Sequence, residues 1–375
     1  MKKIALIGST GSIGVQTLNV VRRHPDKFKI VSLSCGENSL LLKKQIEEFS
    51  PIVASSKNPI KEKKQGVKYF DGEDSFTNAI ISDADIVVIA LVGFKGIIAI
   101  LDAIEKGKDV ALANKECLVV GGDLVMKKAK EKGINIYPID SEHSAIWQCL
   151  SYDFNRPLNR IILTCSGGAF RDKSKEEMKT LTAKDALKHP NWDMGAKITI
   201  DCATLVNKGF EVIEAHYLYG VPYEKIDVII HKESIIHSMV EYLDGSTIAQ
   251  MSYPSMEIPI TLALSVPNRI ETDVKGLDFS EIGKLTFSKP DSDRFPCLDL
   301  VVEAGKRQKG YPAVINGANE RAVKLFLDGK IGYLDIYESL KGAFDEFKGV
   351  EINSFSDLKK ADDFGRRFVD QKFGV

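Results

Sequence analysis

The sequence predicts an α/β protein: an N-terminal Rossmann-like, doubly wound parallel sheet, a central α+β domain and a small C-terminal helical bundle. Three observations predict it. Strand-like and helix-like segments alternate up to about residue 150, a mixed pattern follows to about 275, and from about 298 apolar residues recur every three or four positions. At 375 residues the chain is too long for one hydrophobic core. The expected division is 1–150 for the parallel sheet, 151–275 for the central domain, 276–297 for a linker and 298–375 for the bundle.

Each element has its own signal. KKIALIG is a short buried strand, GVQTLNVVRRH an amphipathic helix and FKIVSLS a second strand. DIVVIALVG, DVALAN and NIYPID read as later strands, with GIIAILDAIEKGK and LVVGGDLVMKKAKEKG as the helices between them. If NIYPIDSEHSAI stays extended, Asp140 and Glu142 point to one side, and two like charges there need a proton or a cation between them. In the central domain RIILTCSGG, KITIDCAT, KIDVIIHKE and the pair SMVEYLDGSTIAQMSY read as strands, the pair joined by a hairpin at Asp244-Gly245. Ser174 and Glu177 form a capping box for SKEEMKTL. Gly283, Pro290 and Pro296 break up the linker. The bundle is LDLVVEAGKRQ, AVINGANERAVKLFLDGK, YLDIYESLKGAFDEF and SDLKKADDFGRRFVDQKF.

Bulk properties exclude several classes of partner. Lys plus Arg is 51 against 52 Asp plus Glu, a net charge of −1, so no basic excess points to nucleic acid or an acidic membrane surface. Six scattered cysteines form no C-x-x-C pair, which favours buried thiols in a reducing compartment. The apolar run after MKK stops after four residues, too short for a signal peptide, and no run reaches ~18 apolar residues. A cytoplasmic protein is expected.

The chemistry concentrates in a few places. Gly8-Ser9-Thr10-Gly11-Ser12-Ile13-Gly14 follows the first strand and opens the first helix, where glycines admit a pyrophosphate to the backbone and helix N–H groups attract it. A plain tight turn is the alternative. Glu37, just past the second strand, would suit the ribose 2′-hydroxyl of NAD or simply face solvent. Asn207 and Glu211 share a helix face with Lys208 between them. Glu211 can join Asp140 and Glu142 as a third oxygen ligand, favouring Mg²⁺ or Mn²⁺ over zinc; singly, each acid reads as a solvated surface charge. Lys115, in Asn114-Lys115-Glu116 at a strand end, can neutralise an anion or cap the next helix. Ser166-Gly167-Gly168 offers a hydroxyl and N–H groups to a phosphate, or is only a glycine turn. The loop from His189 through Trp192 and Met194 to Gly195 reads as a lid, or as a tryptophan over the core. His231, His237 and the Asn316–Glu320 stretch read as structural.

Taken in order, GSTGSIG, ANKE, DSEHSAIWQ, SGGAFR, HPNWDMG, NKGFEVIEA and IIHSMVEYLDGS resemble the 1-deoxy-D-xylulose 5-phosphate reductoisomerase family over the whole chain. The resemblance implies a homodimeric oxidoreductase that uses NADPH and a divalent metal (magnesium, manganese or cobalt) on a phosphorylated ketose, with a catalytic and dimerising central domain. It implies cofactor positions at Gly8, Thr10, Gly11, Ser12, Ile13, Gly36, Asn38, Asn114, Glu116 and Gly195, and metal positions at Asp140, Glu142 and Glu211. Lys115, Ser141, Glu142, Ser166, His189, Cys202, Asn207, Lys208 and Glu211 match substrate positions, with Trp192 and Met194 in the lid. The implied reaction breaks and re-forms a carbon–carbon bond through an enediolate whose charge Lys115 and the cation stabilise, then reduces the branched aldehyde. Two residues depart from the family: Glu37 stands where a basic residue is usual, and Cys202 where serine is usual. A metal-independent Rossmann dehydrogenase of another phosphorylated substrate and a non-catalytic NADP-sensing protein are the rival readings.

Overall fold

The computed structural model describes residues 1–150, 157–188, 192 and 194–375. The chain forms two compact units. The first is Met1–Cys117, Val125–Ser144 and Ser255–Lys275; the second is Leu118–Leu124, Ala145–Pro254 and Gly276–Val375.

In chain order the elements are β1 (Lys2–Ile7), α1 (Ser12–Arg23), β2 (Phe28–Cys35), α2 (Ser39–Phe49), β3 (Val53–Ser56), β4 (Lys68–Asp71), β5 (Ile86–Ile89), α3 (Lys95–Glu105), β6 (Asp109–Leu112), α4 (Glu116–Lys132), β7 (Ile136–Pro138) and α5 (Ser141–Cys149). Then come β8 (Leu158–Cys165), α6 (Lys175–Met178), α7 (Ala183–Ala186), α8 (Ala196–Thr204), α9 (Val206–Tyr219), β9 (Ile226–Ile230), β10 (Ile236–Tyr242), β11 (Thr247–Met251) and α10 (Glu257–Ser265). After them come α11 (Phe279–Ile282) and the four tail helices α12 (Cys297–Arg307), α13 (Tyr311–Leu327), α14 (Tyr333–Glu346) and α15 (Phe355–Phe373).

The first unit is built on a seven-stranded sheet, ordered β4-β3-β2-β1-β5-β6-β7 with every pair parallel. Strand order reverses at β1, so a crevice is expected beyond the carboxyl ends of β1 and β5, where open α/β sheets bind ligands. Ile4 to Ile7 are fully buried, as a strand covered on both faces requires. Part of that cover comes from far along the chain: Ile260, Ala263 and Leu264 of α10 share a core cluster with Ile4, Leu6 and Leu18. The returning segment is pinned by polar bonds as well. Arg23 pairs with Glu257 and Asp273, and His24 Nε2 meets the Glu271 carbonyl at 2.9 Å.

The second unit contains a four-stranded sheet, β11-β10-β8-β9, in which β8 and β9 run parallel and β10 is antiparallel to both β8 and β11. The β10–β11 hairpin turns at Gly245, with φ +85°. The Ser174–Glu177 capping box forms at α6. One expected strand is a helix: KITIDCAT is α8. Of its five buried residues, Thr199, Ile200, Ala203 and Thr204 follow helical spacing, and the fifth, Asp201, is reached by Lys197 at 2.7 Å across one turn. The Ile-Thr-Ile run favours a strand locally, and burial on one helical face overrides it.

In the tail, α13 and α15 cross with their backbones touching: a Cβ added at Gly365 would lie 2.1 Å from the Val314 carbonyl oxygen. Beside the crossing, Arg366 Nε donates to Asp362 (2.6 Å) and its Nη2 to Glu320 (2.6 Å), while Asn316 Nδ2 donates to Asp362 (2.9 Å). Burial pushes the Asp362 carboxyl above its ordinary value, and the Arg366 charge pulls against that rise. A carboxyl raised on folding holds its proton more tightly in the folded chain. Its contribution to stability is therefore greatest at acid pH and falls as pH climbs through the folded value. Removing Arg366 strands the Asp362 charge, so Arg366→Gln is expected to cost about 2–4 kcal/mol near neutrality. Part of the loss returns as pH falls and Asp362 takes up its proton. Thermal unfolding followed from neutral into acid pH checks this; a loss that does not change with pH would place the cost elsewhere.

Candidate functional site

In the first unit the glycine turn is built to bring backbone close to a ligand. Gly8 has φ +93°, and a Cβ there would sit 2.5 Å from the Ala90 carbonyl oxygen. A Cβ at Gly14 would sit 2.2 Å from the Gly8 carbonyl oxygen, so the first turn of α1 lies directly on the loop. The Gly8 and Ser9 N–H groups both donate to the Ser34 carbonyl, at 3.0 and 2.7 Å. Ser9 Oγ donates to Gln45 (2.7 Å), and Gln45 Nε2 returns a bond to the Ser9 carbonyl (2.9 Å). These bonds hold the turn on β2 and α2. Gly11 caps α1 without a side-chain bond, and the first turn carries no acid. The helix therefore presents its positive end beside Thr10, Gly11, Ser12 and Ile13, which reach the surface. A pyrophosphate fits this cradle.

The tip of β2 carries Gly36, Glu37 and Asn38. Asn38 Oδ1 accepts from the Leu41 N–H at 3.1 Å and caps α2. Lys57, the residue after β3, donates its backbone N–H to the Gly36 carbonyl (3.1 Å). Its ammonium lies 3.2 Å from Glu37 and 3.5 Å from Glu73. Hydrogen bonding to Glu37, with the Glu73 charge nearby, raises Lys57 above the ordinary lysine value.

Further along the same rim, Asn114 Nδ2 donates to the Leu91 and Gly93 carbonyls (3.0 and 2.9 Å), and its Oδ1 accepts from Cys117 N–H (3.0 Å). The residue thus pins the loop after β5 to the start of α4, where Glu116 is buried. Lys115 Nζ lies 2.8 Å from Asp140, both side chains nearly buried. Asp140 and Glu142 do not sit on a strand as expected. β7 stops at Pro138, Asp140 Oδ1 accepts from the Glu142 N–H at 3.1 Å, and Glu142 lies in the first turn of α5. The cause is the helix start: Asp140 closes the first turn that Ser141 and Glu142 open. Carboxylate oxygens of Asp140 and Glu142 still come within 4.8 Å of each other, and Ser141 Oγ donates to Glu142. Two carboxylates so close call for a cation, and all-oxygen donors suit a hard one.

In the second unit, Ser166 follows β8 and its Oγ accepts from the Gly168 N–H (3.2 Å). A Cβ at Gly168 would meet the Cys202 carbonyl oxygen at 2.4 Å, so the Ser-Gly-Gly turn rests on the end of α8. Between α8 and α9, Leu205 takes a left-handed φ of +61° and is buried, a strained joint that only its packing maintains. Just past it, Asn207 Nδ2 and Lys208 Nζ both donate to Glu211, all three side chains buried. Trp192 stands edge-on to His237 with ring centroids 6.1 Å apart. Met194 is half-buried and Gly195 is the N-cap of α8. His189 lies outside the described residues. His231 is satisfied by the Thr286 carbonyl (3.0 Å) and the Ile235 N–H (3.2 Å).

Sequence reasoning missed the supports of α8. Asn319 Nδ2 donates to Asp201 (2.8 Å) and Tyr333 OH to the Ala203 carbonyl (2.8 Å), so two tail helices hold the residues on either side of Cys202. The i,i+4 pair Lys197–Asp201 was the available signal. Among the described residues there is no disulfide, and all the cysteines but Cys202 are buried; burial raises Cys35 and Cys149 to about 11 and Cys297 to about 12.

Family models match three stretches: 1-deoxy-D-xylulose 5-phosphate reductoisomerase over residues 4–122, its C-terminal domain over 136–219, and the DXP reductoisomerase C-terminal domain over 251–368. A 1-deoxy-D-xylulose 5-phosphate reductoisomerase from Geobacillus sp. (strain WCH70) is 47% identical over 377 aligned residues, covering 98% of this chain and 99% of the relative. The enzyme of that name from Halalkalibacterium halodurans matches at the same identity and coverage. Among solved structures, the Zymomonas mobilis reductoisomerase in complex with NADPH superposes with a TM-score of 0.93 at 39% identity, covering 99% of each chain. A DOX-P reductoisomerase in complex with NADPH, fosmidomycin and magnesium gives 0.94 at 37% identity, over 100% of this chain and 98% of that one.

Proposed function

The chain belongs to the 1-deoxy-D-xylulose 5-phosphate reductoisomerase family, and on that footing we propose how its own side chains share out the reaction. It is an NADPH- and divalent-metal-dependent oxidoreductase that converts 1-deoxy-D-xylulose 5-phosphate into 2-C-methyl-D-erythritol 4-phosphate, a step of isoprenoid biosynthesis. When bound, the cation supplies Lewis acidity and NADPH the hydride.

Asp140, Glu142 and Glu211 hold the cation; magnesium fits this all-oxygen donor set, and manganese or cobalt can replace it. The close approach of Asp140 and Glu142 beside Lys115 carries this reading. Lys115 keeps its ammonium at the rim, where it offsets the negative charge of an enediolate. Asn207 and Lys208 orient Glu211 through its two oxygens and face the substrate. Ser166 offers a hydroxyl to the phosphate, and the Cys202 thiol, a weaker donor, leaves more of that contact to Ser166, Asn207 and Lys208. Ser141 and His189 complete the substrate contacts, and Trp192 and Met194 cover them against water. Gly8, Thr10, Gly11, Ser12, Ile13, Gly36, Asn38, Asn114, Glu116 and Gly195 receive NADPH. The enzyme acts as a cytoplasmic homodimer through its central domain; among the described residues no helix is long and apolar enough to cross a membrane.

The test is NADPH consumption with 1-deoxy-D-xylulose 5-phosphate, with and without EDTA. Activity is expected to vanish with the chelator and return with excess Mg²⁺ or Mn²⁺. Oxidation indifferent to EDTA would mark a metal-independent dehydrogenase, and nucleotide binding without turnover a sensing protein.

A further inference from the structure

An acid at the tip of the second strand of a dinucleotide fold ordinarily accepts from the ribose 2′-hydroxyl and selects NAD, whereas a 2′-phosphate needs a cation there. Here the tip carries Glu37, yet solved relatives at 37–39% identity hold NADPH. The neighbouring strand resolves this conflict. We propose that Lys57, just past the end of β3, supplies the cation that receives the 2′-phosphate and selects NADPH over NADH. The inference rests on the nucleotide reading of the glycine turn.

Placement favours Lys57. β2 and β3 are parallel and paired to their last residues, Cys35 against Ser56, so Lys57 follows directly at the tip where the ribose arrives. Its backbone N–H is fixed to the Gly36 carbonyl at 3.1 Å, so the lysine stays at this tip while its side chain turns. The ammonium is held by Glu37, whose side chain is 75% exposed. A carboxylate that exposed can swing into water at little cost and give up the lysine to a phosphate dianion. Glu73 is not stranded by the exchange, because Lys95 also pairs with it. Adjacent α2 begins at Ser39 with no acid in its first turn, so its positive end adds to the same field. Glu37 then acts as a resident counter-ion that the phosphate displaces.

The full-length chain is titrated with NADPH and with NADH at fixed ionic strength, following nicotinamide fluorescence. Lys57→Ala is expected to weaken NADPH binding roughly ten- to a hundredfold, the scale of one charge-assisted bond to phosphate. NADH binding should move less than about threefold. Glu37→Gln, which removes the competitor, is expected to tighten NADPH severalfold and leave NADH unimproved. An unchanged NADPH-to-NADH ratio in Lys57→Ala, with its unfolding temperature unaltered, overturns the proposal, as does a wild-type preference for NADH. Should the wild-type chain bind neither nucleotide, the glycine-turn reading itself fails, and that is seen before any variant is made.

Discussion

Glu211→Gln is expected to lower kcat by at least about a thousandfold while NADPH binds as tightly as to the unaltered chain. The substitution keeps the shape of the side chain and removes its charge. Asn207 and Lys208 both donate to the carboxylate, so the amide of glutamine must point its NH₂ at one donor. Ion affinity falls for two reasons: one anionic ligand is gone, and the buried Lys208 ammonium loses its ion pair with Glu211. That loss also costs about 1–3 kcal/mol of stability, so thermal unfolding has to accompany the kinetics. The glycine turn belongs to the other unit, which is why nucleotide binding serves as the internal control. A folded variant with near-normal kcat would remove Glu211 from the ligand set.

Gly14→Ala is the second large effect, and it acts on the cofactor. The new methyl would be placed 2.2 Å from the Gly8 carbonyl oxygen and 2.6 Å from Ser9 backbone atoms, contacts that only a shift of the main chain can relieve. Lifting α1 off the loop is expected to cost about 2–3 kcal/mol and to weaken NADPH by at least about tenfold, as the N–H groups leave the pyrophosphate. Gly11→Ala provides the contrast. Its methyl would rest at 3.6 Å from the Gly8 carbonyl, an ordinary contact, so the free fold tolerates it and any weakening of NADPH there reflects the cofactor alone. Wild-type affinity in Gly14→Ala would show that the pyrophosphate sits elsewhere.

Much of this architecture can be read from the chain because the signals are local. The first strand, the glycine turn, the hairpin at Asp244-Gly245, the Ser174–Glu177 box and the four tail helices each follow from spacing or from turn chemistry within one segment. The misreadings share a cause as well. In α8 the Ile-Thr-Ile run outweighed the i,i+4 pair of Lys197 and Asp201, although that pair was present in the sequence. At Asp140 the strand was carried too far; an Asp followed by Ser and Glu is also a helix-start signal, and the structure uses it that way. Other features have no local signal. That Lys57 meets Glu37 depends on the register of β2 against β3, and that Tyr333 supports Ala203 depends on a contact across 130 positions.

The membership of Ser255–Lys275 in the first unit bears on how the protein is made. Ile260, Ala263 and Leu264 complete a core whose other members were synthesised before residue 140. A ribosome adding about 5–20 residues per second needs roughly 6–25 s to travel from residue 140 to residue 264. Throughout that interval the nascent nucleotide unit lacks the part of its apolar cover that Ile260, Ala263 and Leu264 supply. The growing chain therefore has a window of vulnerability in which chaperones or premature self-association compete with completion, and it closes only when α10 leaves the exit tunnel.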